Sequence, residues 1–135
     1  MKALDTNVLA RFFIDDADDI EAARQRPAAA EAMSQRAFVP VTVLLEFEWV
    51  MRGFYELTRP DVIRVMRALT GIEHVVIEDR HDVLTALEHH EQGLDFADAL
   101  HLARSTRATG LVTFDRKLFE RASNLGLTPP VELLA

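Results

Sequence analysis

The sequence predicts an α/β fold: a short parallel sheet of four to five strands sandwiched by helices, in one domain over residues 1–135. Short apolar runs alternate with longer helical patterns, the order that βαβ units leave in a sequence. A capping residue precedes most of the helical segments, and a glycine follows several of them. No repeat, low-complexity tract or linker interrupts the alternation.

Lys2 to Leu4 reads as a short buried strand and Asn7 to Ile14 as a helix. The run "DDADD" is a charged loop or helix start. Residues 20–36 are Ala-rich and helical, with Pro27 either kinking that helix or opening a second segment. "FVPV" is a second strand, with Pro40 suited to its end. Thr42 is the expected cap of a helix over 43–52, and Thr58-Arg-Pro-Asp61 opens another that Gly71 ends. "HVVIE" is a third strand. Asp79 is placed to cap the helix that follows, which stops at Gly93 with His89 and His90 on its exposed surface. Asp95 caps the helix 96–107, and "LVTF" is a fourth strand. Asp115 opens a helix over 116–125 closed by Gly126, and "PPVELLA" supplies an edge strand or a packed tail.

Composition excludes several chemistries. There is no cysteine, hence no disulfide framework, thiolate metal site or thiol nucleophile. One lysine before a short, acid-interrupted apolar run is not a signal peptide, and no apolar stretch approaches the roughly 18 residues that span a bilayer. The expectation is a soluble cytoplasmic protein with no membrane partner. A net charge of −7 argues against broad nonspecific attraction to nucleic acid. Two arginine-rich groups (Arg52, Arg59, Arg64, Arg67; and Arg104, Arg107, Arg116, Lys117, Arg121) read mostly as solvated helix faces.

The acids carry the functional signal. Asp5 and Asp115 each end a predicted strand, where open α/β sheets bind ligands. Each also precedes a helix, so capping accounts for either one singly. In "TVLLEFEWVMR", residues three and four from Glu46 are Thr42, Val43, Trp49 and Val50, an apolar stripe facing a core or cleft. Glu48 has Arg52 four residues on and reads as a surface pair. In "GLDFADALHLARS", Asp95 and Asp98 share a face that His101 and Ser105 extend. A capping-box-like start explains them, but Ala97 and Ala99 leave room for close approach to Asp98. Carboxylates gathered at one mouth repel, and a hard cation such as Mg²⁺, which prefers oxygen ligands, resolves the conflict. The five histidines show no zinc spacing.

Four motifs in this order resemble those of PIN-domain ribonucleases, specifically the VapC toxins of toxin–antitoxin pairs: "LDTNVL", "VTVLLEFEWVMR", "LDFADALHLA" and "LVTFDRKL". The resemblance covers Met1 to about Thr128. It implies a PIN-like sheet sandwiched by helices and an acidic cluster of Asp5, Glu46, Asp98 and Asp115, with Asp95 as an additional acid. Thr6, Asn7 and Thr113 are implied as residues supporting that cluster. The activity implied is hydrolysis of RNA phosphodiesters with Mg²⁺, or Mn²⁺ in its place, leaving 5′-phosphate and 3′-hydroxyl ends. The partners implied are RNA, a VapB-type antitoxin and a second copy of the chain. The aromatic-rich stretch Phe47, Trp49, Val50, Met51, Phe54 and Tyr55 is a candidate lining for the antitoxin groove, although core packing accounts for at least half of it.

Two other classes compete. In haloacid-dehalogenase-like phosphatases an acid after the first strand is the nucleophile, but that motif wants a second acid where Asn7 stands. A receiver domain fits less well, since "HVVIED" lacks the supporting acid pair and lysine. A non-catalytic acidic interaction module, its carboxylates capping helices, is the third reading.

Overall fold

A computed structural model describes all 135 residues as seven α-helices, one π-helical turn and five short parallel strands. The chain divides into two compact units, Met1–Arg80 and His81–Ala135. No helix is long and apolar enough to cross a membrane.

In the first unit, β1 (Lys2–Ala3), β2 (Ala37–Val39) and β3 (Val75–Ile77) pair in parallel in chain order, with Lys2 opposite Ala37 and Phe38 opposite Val76. Residues Ala37, Val39, Val75 and Ile77 point into the core, as the two-residue period of a strand dictates. The expectation of a buried first strand is corrected. Lys2 and Ala3 are exposed on a ladder edge, and the buried residue is Leu4, whose N–H donates to Phe38 O at 2.9 Å.

Between β1 and β2 lie α1 (Thr6–Phe13) and α2 (Ile20–Met33), which pack on each other. Pro27 sits inside a single continuous α2, which ends three residues before the expected boundary at Arg36. Asp19 caps this helix through Glu21 N–H and Ala22 N–H.

Between β2 and β3 run α3 (Val41–Trp49), the π-helical turn Val50–Phe54 and α4 (Arg59–Thr70). Thr58 caps α4 as its sequence predicts, accepting from Asp61 N–H at 3.4 Å. Thr42 does not cap α3, because that helix starts one residue earlier with Pro40 at the cap position. Its first N–H, on Val41, is met from the far end of the unit by Glu78 Oε1 at 2.8 Å.

The buried face of α3 comprises Leu44, Phe47, Glu48 and, from the π turn, Met51. This corrects the assignment of Glu48 to the surface. It is 2% exposed, and Arg52 Nε donates to its Oε2 at 3.0 Å. The reason lies in its helical neighbours Leu44 and Met51, both at 0% exposure. Of the aromatic-rich stretch, Phe47 and Met51 belong to the core, while Trp49 and Phe54 are exposed.

The second unit holds α5 (Arg80–Glu91, starting at the boundary), α6 (Phe96–Ala103), β4 (Leu111–Thr113), α7 (Arg116–Leu125) and β5 (Val131–Leu133). The C-terminal tail thus supplies a strand, with Leu111 opposite Val131 in the β4–β5 pair. Gly126, at φ 65°, closes α7 in the left-handed conformation that a Cβ disfavours. His90 is buried, not exposed as the sequence suggests. The turn at Gly93 folds back so that His90 Nδ1–H donates to Leu94 O at 2.6 Å and the imidazole stands edge-on to Phe96. His89 is half-buried.

Candidate functional site

In the first unit the end of β1 delivers Leu4 to the core and leaves Asp5 exposed at the head of α1. Asp5 Oδ1 accepts from Thr6 N–H at 2.8 Å, so the carboxylate caps the helix. Thr6 is itself buried, and its hydroxyl donates to Glu46 Oε1. One residue therefore holds two candidate carboxylates that lie far apart in sequence, Glu46 being 40 positions after Thr6. Glu46 is exposed on α3 rather than aimed into the core, because its neighbours Thr42 and Trp49 are themselves exposed. Its partner is a hydroxyl and not an arginine. The nearby arginine, Arg52, is taken by Glu48. Asn7 is exposed and makes no side-chain hydrogen bond.

In the second unit Asp95 caps α6, accepting from Asp98 N–H at 3.4 Å. Asp115 caps α7, accepting from Lys117 N–H at 2.9 Å and Leu118 N–H at 3.2 Å. The Thr113 hydroxyl accepts from the backbone N–H of Asp115 at 2.9 Å and so fixes the turn rather than touching the carboxylate. Asp98 lies in the first turn of α6, half-buried and without a hydrogen bond to its carboxylate. Burial pushes its pKa up, the negative charges of Asp95 and then Asp115 push it further, and His101 offsets part of the rise. Asp98 thus senses both other candidate acids of its unit, Asp95 and Asp115.

None of Asp5, Glu46, Asp95, Asp98 and Asp115 forms an ion pair with lysine or arginine. The structure brings Asp5 and Glu46 together through Thr6, and sets Asp98 within the field of Asp95 and Asp115. No three acidic or imidazole side chains converge as a ready-made metal-binding group. The donor chemistry suits a hard divalent cation: oxygen donors only, uncompensated by basic groups, in a chain without cysteine. Sequence reasoning passed over Glu78, whose carboxylate starts the helix bearing Glu46. Its signal was available, since it follows β3 directly, as Asp5 follows the first apolar run.

The raised pKa of Asp98 has a consequence for stability. A carboxyl whose folded pKa exceeds its unfolded one stabilises the fold when protonated. That contribution is complete below the unfolded value and is lost as pH rises through the folded one. At neutral pH the ionised group is therefore a cost. Asp98→Asn is expected to raise the melting temperature of metal-free protein at pH 7, with the difference closing as pH falls through the ordinary carboxylate range near about 4. A melting series across pH checks this, and a variant less stable than the parent at pH 7 contradicts it.

No curated protein matches the chain significantly. The PIN domain family matches residues 2–125, all but the initiating methionine and the last ten residues, and PIN domains are generally metal-dependent nucleases. By that match, which takes in both units and every acid described above, the chain belongs to the PIN domain family.

Proposed function

We propose that this chain is a metal-dependent endoribonuclease acting as the toxin of a VapBC-type toxin–antitoxin pair. The observation that carries the proposal is the set of acids that lack any basic partner: Asp5 and Glu46 tied to one threonine, and Asp98 held above its usual pKa by burial first and then by the charges of Asp95 and Asp115.

Asp5, Asp98 and Asp115 are assigned as the residues that hold Mg²⁺ or Mn²⁺, with Glu46 and Asp95 assisting. When bound, the metal supplies a water of lowered pKa and offsets charge on the phosphoryl oxygens. Glu46, steadied by the Thr6 hydroxyl, would orient the attacking water and take its proton. Hydrolysis would join the water oxygen to phosphorus as the P–O3′ bond breaks, with the proton held at Glu46 passing to the departing 3′-oxygen. The products carry a 5′-phosphate and a 3′-hydroxyl. Thr113 fixes the turn that carries Asp115, and Asn7 lies two residues after Asp5 with its side chain open to a substrate or water. A homodimer and a VapB-type antitoxin that sends an arginine among the acids complete the proposal.

The helix-capping bonds of Asp5, Asp95 and Asp115 favour a second reading, a non-catalytic acidic module. Mn²⁺ titration together with end-mapping of total RNA separates the two. Mn²⁺ binding and 5′-phosphate ends that both vanish in Asp98→Asn support the nuclease. Neither binding nor cleavage in the parent protein supports the module.

A further inference from the structure

Trp49 is the only tryptophan in the chain, and it is 59% exposed. It stands three residues after Glu46, one turn along the same face of α3. The other aromatic residues of the stretch are accounted for. Phe47 is fully buried and tilted against Phe13. Phe54 is exposed, but its ring stands edge-on to Tyr55 at 4.9 Å, and the Tyr55 hydroxyl accepts from Arg11 Nη1 at 3.2 Å. Trp49 has neither burial nor an aromatic neighbour, and its indole N–H has no acceptor.

The π-helical turn begins directly after Trp49 and brings Gly53 beside the indole. A Cβ at Gly53 would lie 3.6 Å from Trp49 Cε2, so the ring rests along a backbone that has no side chain of its own. π turns occur often at functional sites. The exposed residues on the neighbouring turns are polar, namely Thr42, Glu46 and Arg52, while the apolar Leu45 and Val50 beside the ring are half-buried. A protein partner favours a contiguous apolar patch. A lone flat ring set among polar groups matches a nucleobase instead, which has an apolar face and a hydrogen-bonding edge.

We propose that Trp49 is a base-stacking platform for single-stranded RNA, receiving the base of a nucleotide next to the phosphate that Glu46 serves. The inference rests on the nuclease reading and adds a subsite to it. Every base has a π face, so stacking contributes affinity and registers the strand without choosing a sequence.

The single tryptophan makes the test direct. A short single-stranded oligoribonucleotide, labelled for anisotropy, is titrated into Asp5→Asn protein while indole emission is followed. The abasic sugar-phosphate form of the same oligomer serves as control. The base-bearing strand is expected to quench Trp49, and the abasic one to leave its emission unchanged. In cleavage assays on otherwise unaltered protein, Trp49→Ala and Trp49→Leu are expected to lower kcat/KM by roughly five- to a hundred-fold, and Trp49→Phe to retain most of it. Leucine keeps the apolar bulk and loses the π face, so the Leu–Phe contrast isolates stacking.

RNA binding without quenching, or parent-level cleavage by Trp49→Leu, overturns the proposal and leaves the nuclease reading standing. A change in oligomeric state of Trp49→Ala on sedimentation, with cleavage unaltered, overturns it in favour of a protein seat. If the parent protein cleaves no RNA, the nuclease reading falls first and takes the subsite with it.

Discussion

Asp5→Asn is expected to lose metal-dependent RNA cleavage by more than about a hundred-fold, because changing even an outer-sphere partner of a metal ligand costs roughly 10–100-fold. The substitution is informative because Asp5 has two tasks. Its Oδ1 caps α1 through Thr6 N–H, and asparagine is as good a cap as aspartate. The amide keeps that bond and removes only the charge. Folding, read by melting temperature and circular dichroism, is expected to stay within about 0.5 kcal/mol of the parent. Asp5→Ala loses cap and charge together, adding roughly 1 kcal/mol of destabilisation. If Asp5→Asn cleaves RNA as fast as the parent, Asp5 is a cap and nothing more, and the proposed metal set loses its first member.

The second large effect concerns stability. Glu48 is 2% exposed, and its charge is met by Arg52, whose side chain is half in solvent. Removing one partner of a buried pair leaves an uncompensated charge. Arg52→Ala is expected to destabilise the first unit by about 2–4 kcal/mol, below the full cost of breaking a buried pair because water reaches the arginine end. That corresponds to a fall of roughly 8–15 °C in melting temperature. The reverse substitution is milder. Glu48→Gln keeps an acceptor in the core for Arg52 and removes the buried charge, at a cost of about 1 kcal/mol. Adding Glu48→Leu to Arg52→Ala is expected to recover much of the loss, since the orphaned charge disappears. Denaturant midpoints of the parent, Arg52→Ala, Glu48→Leu and the double variant close the cycle, and an Arg52→Ala protein as stable as the parent refutes it.

What the sequence reveals follows the range of each interaction. Asp5, Thr58, Asp95 and Asp115 were identifiable as caps because each binds an N–H within three residues. The strands were visible because apolar runs of three to five residues bounded by turn residues have few other uses. The start of α3 was not readable. Its cap, Glu78, lies 37 residues away, so Thr42 looked like the natural choice. Glu48 was assigned to the wrong environment, and of the two settings read for Glu46, a core or a cleft, its exposure excludes the core. The stripe around Glu46 is apolar in type, yet Trp49 on it is exposed, and apolar type does not guarantee burial. The neighbours of Glu48 at positions 44 and 51 carried the correct answer, but the pairing with Arg52 drew attention away from them. His90 is hidden by a backbone reversal at Gly93, where φ is 118°. The link through Thr6, whose N–H meets Asp5 and whose hydroxyl meets Glu46, depends on packing of α1 beside α3 and so could not be read locally.

The bond from Val41 N–H to Glu78 fastens both ends of the excursion that leaves β2 and returns through β3. Between these ends Leu44 and Phe47 of α3 and Met66 and Leu69 of α4 are fully buried, so the excursion is anchored along its length as well as at its mouth, and a cut at the clasp reaches the core directly.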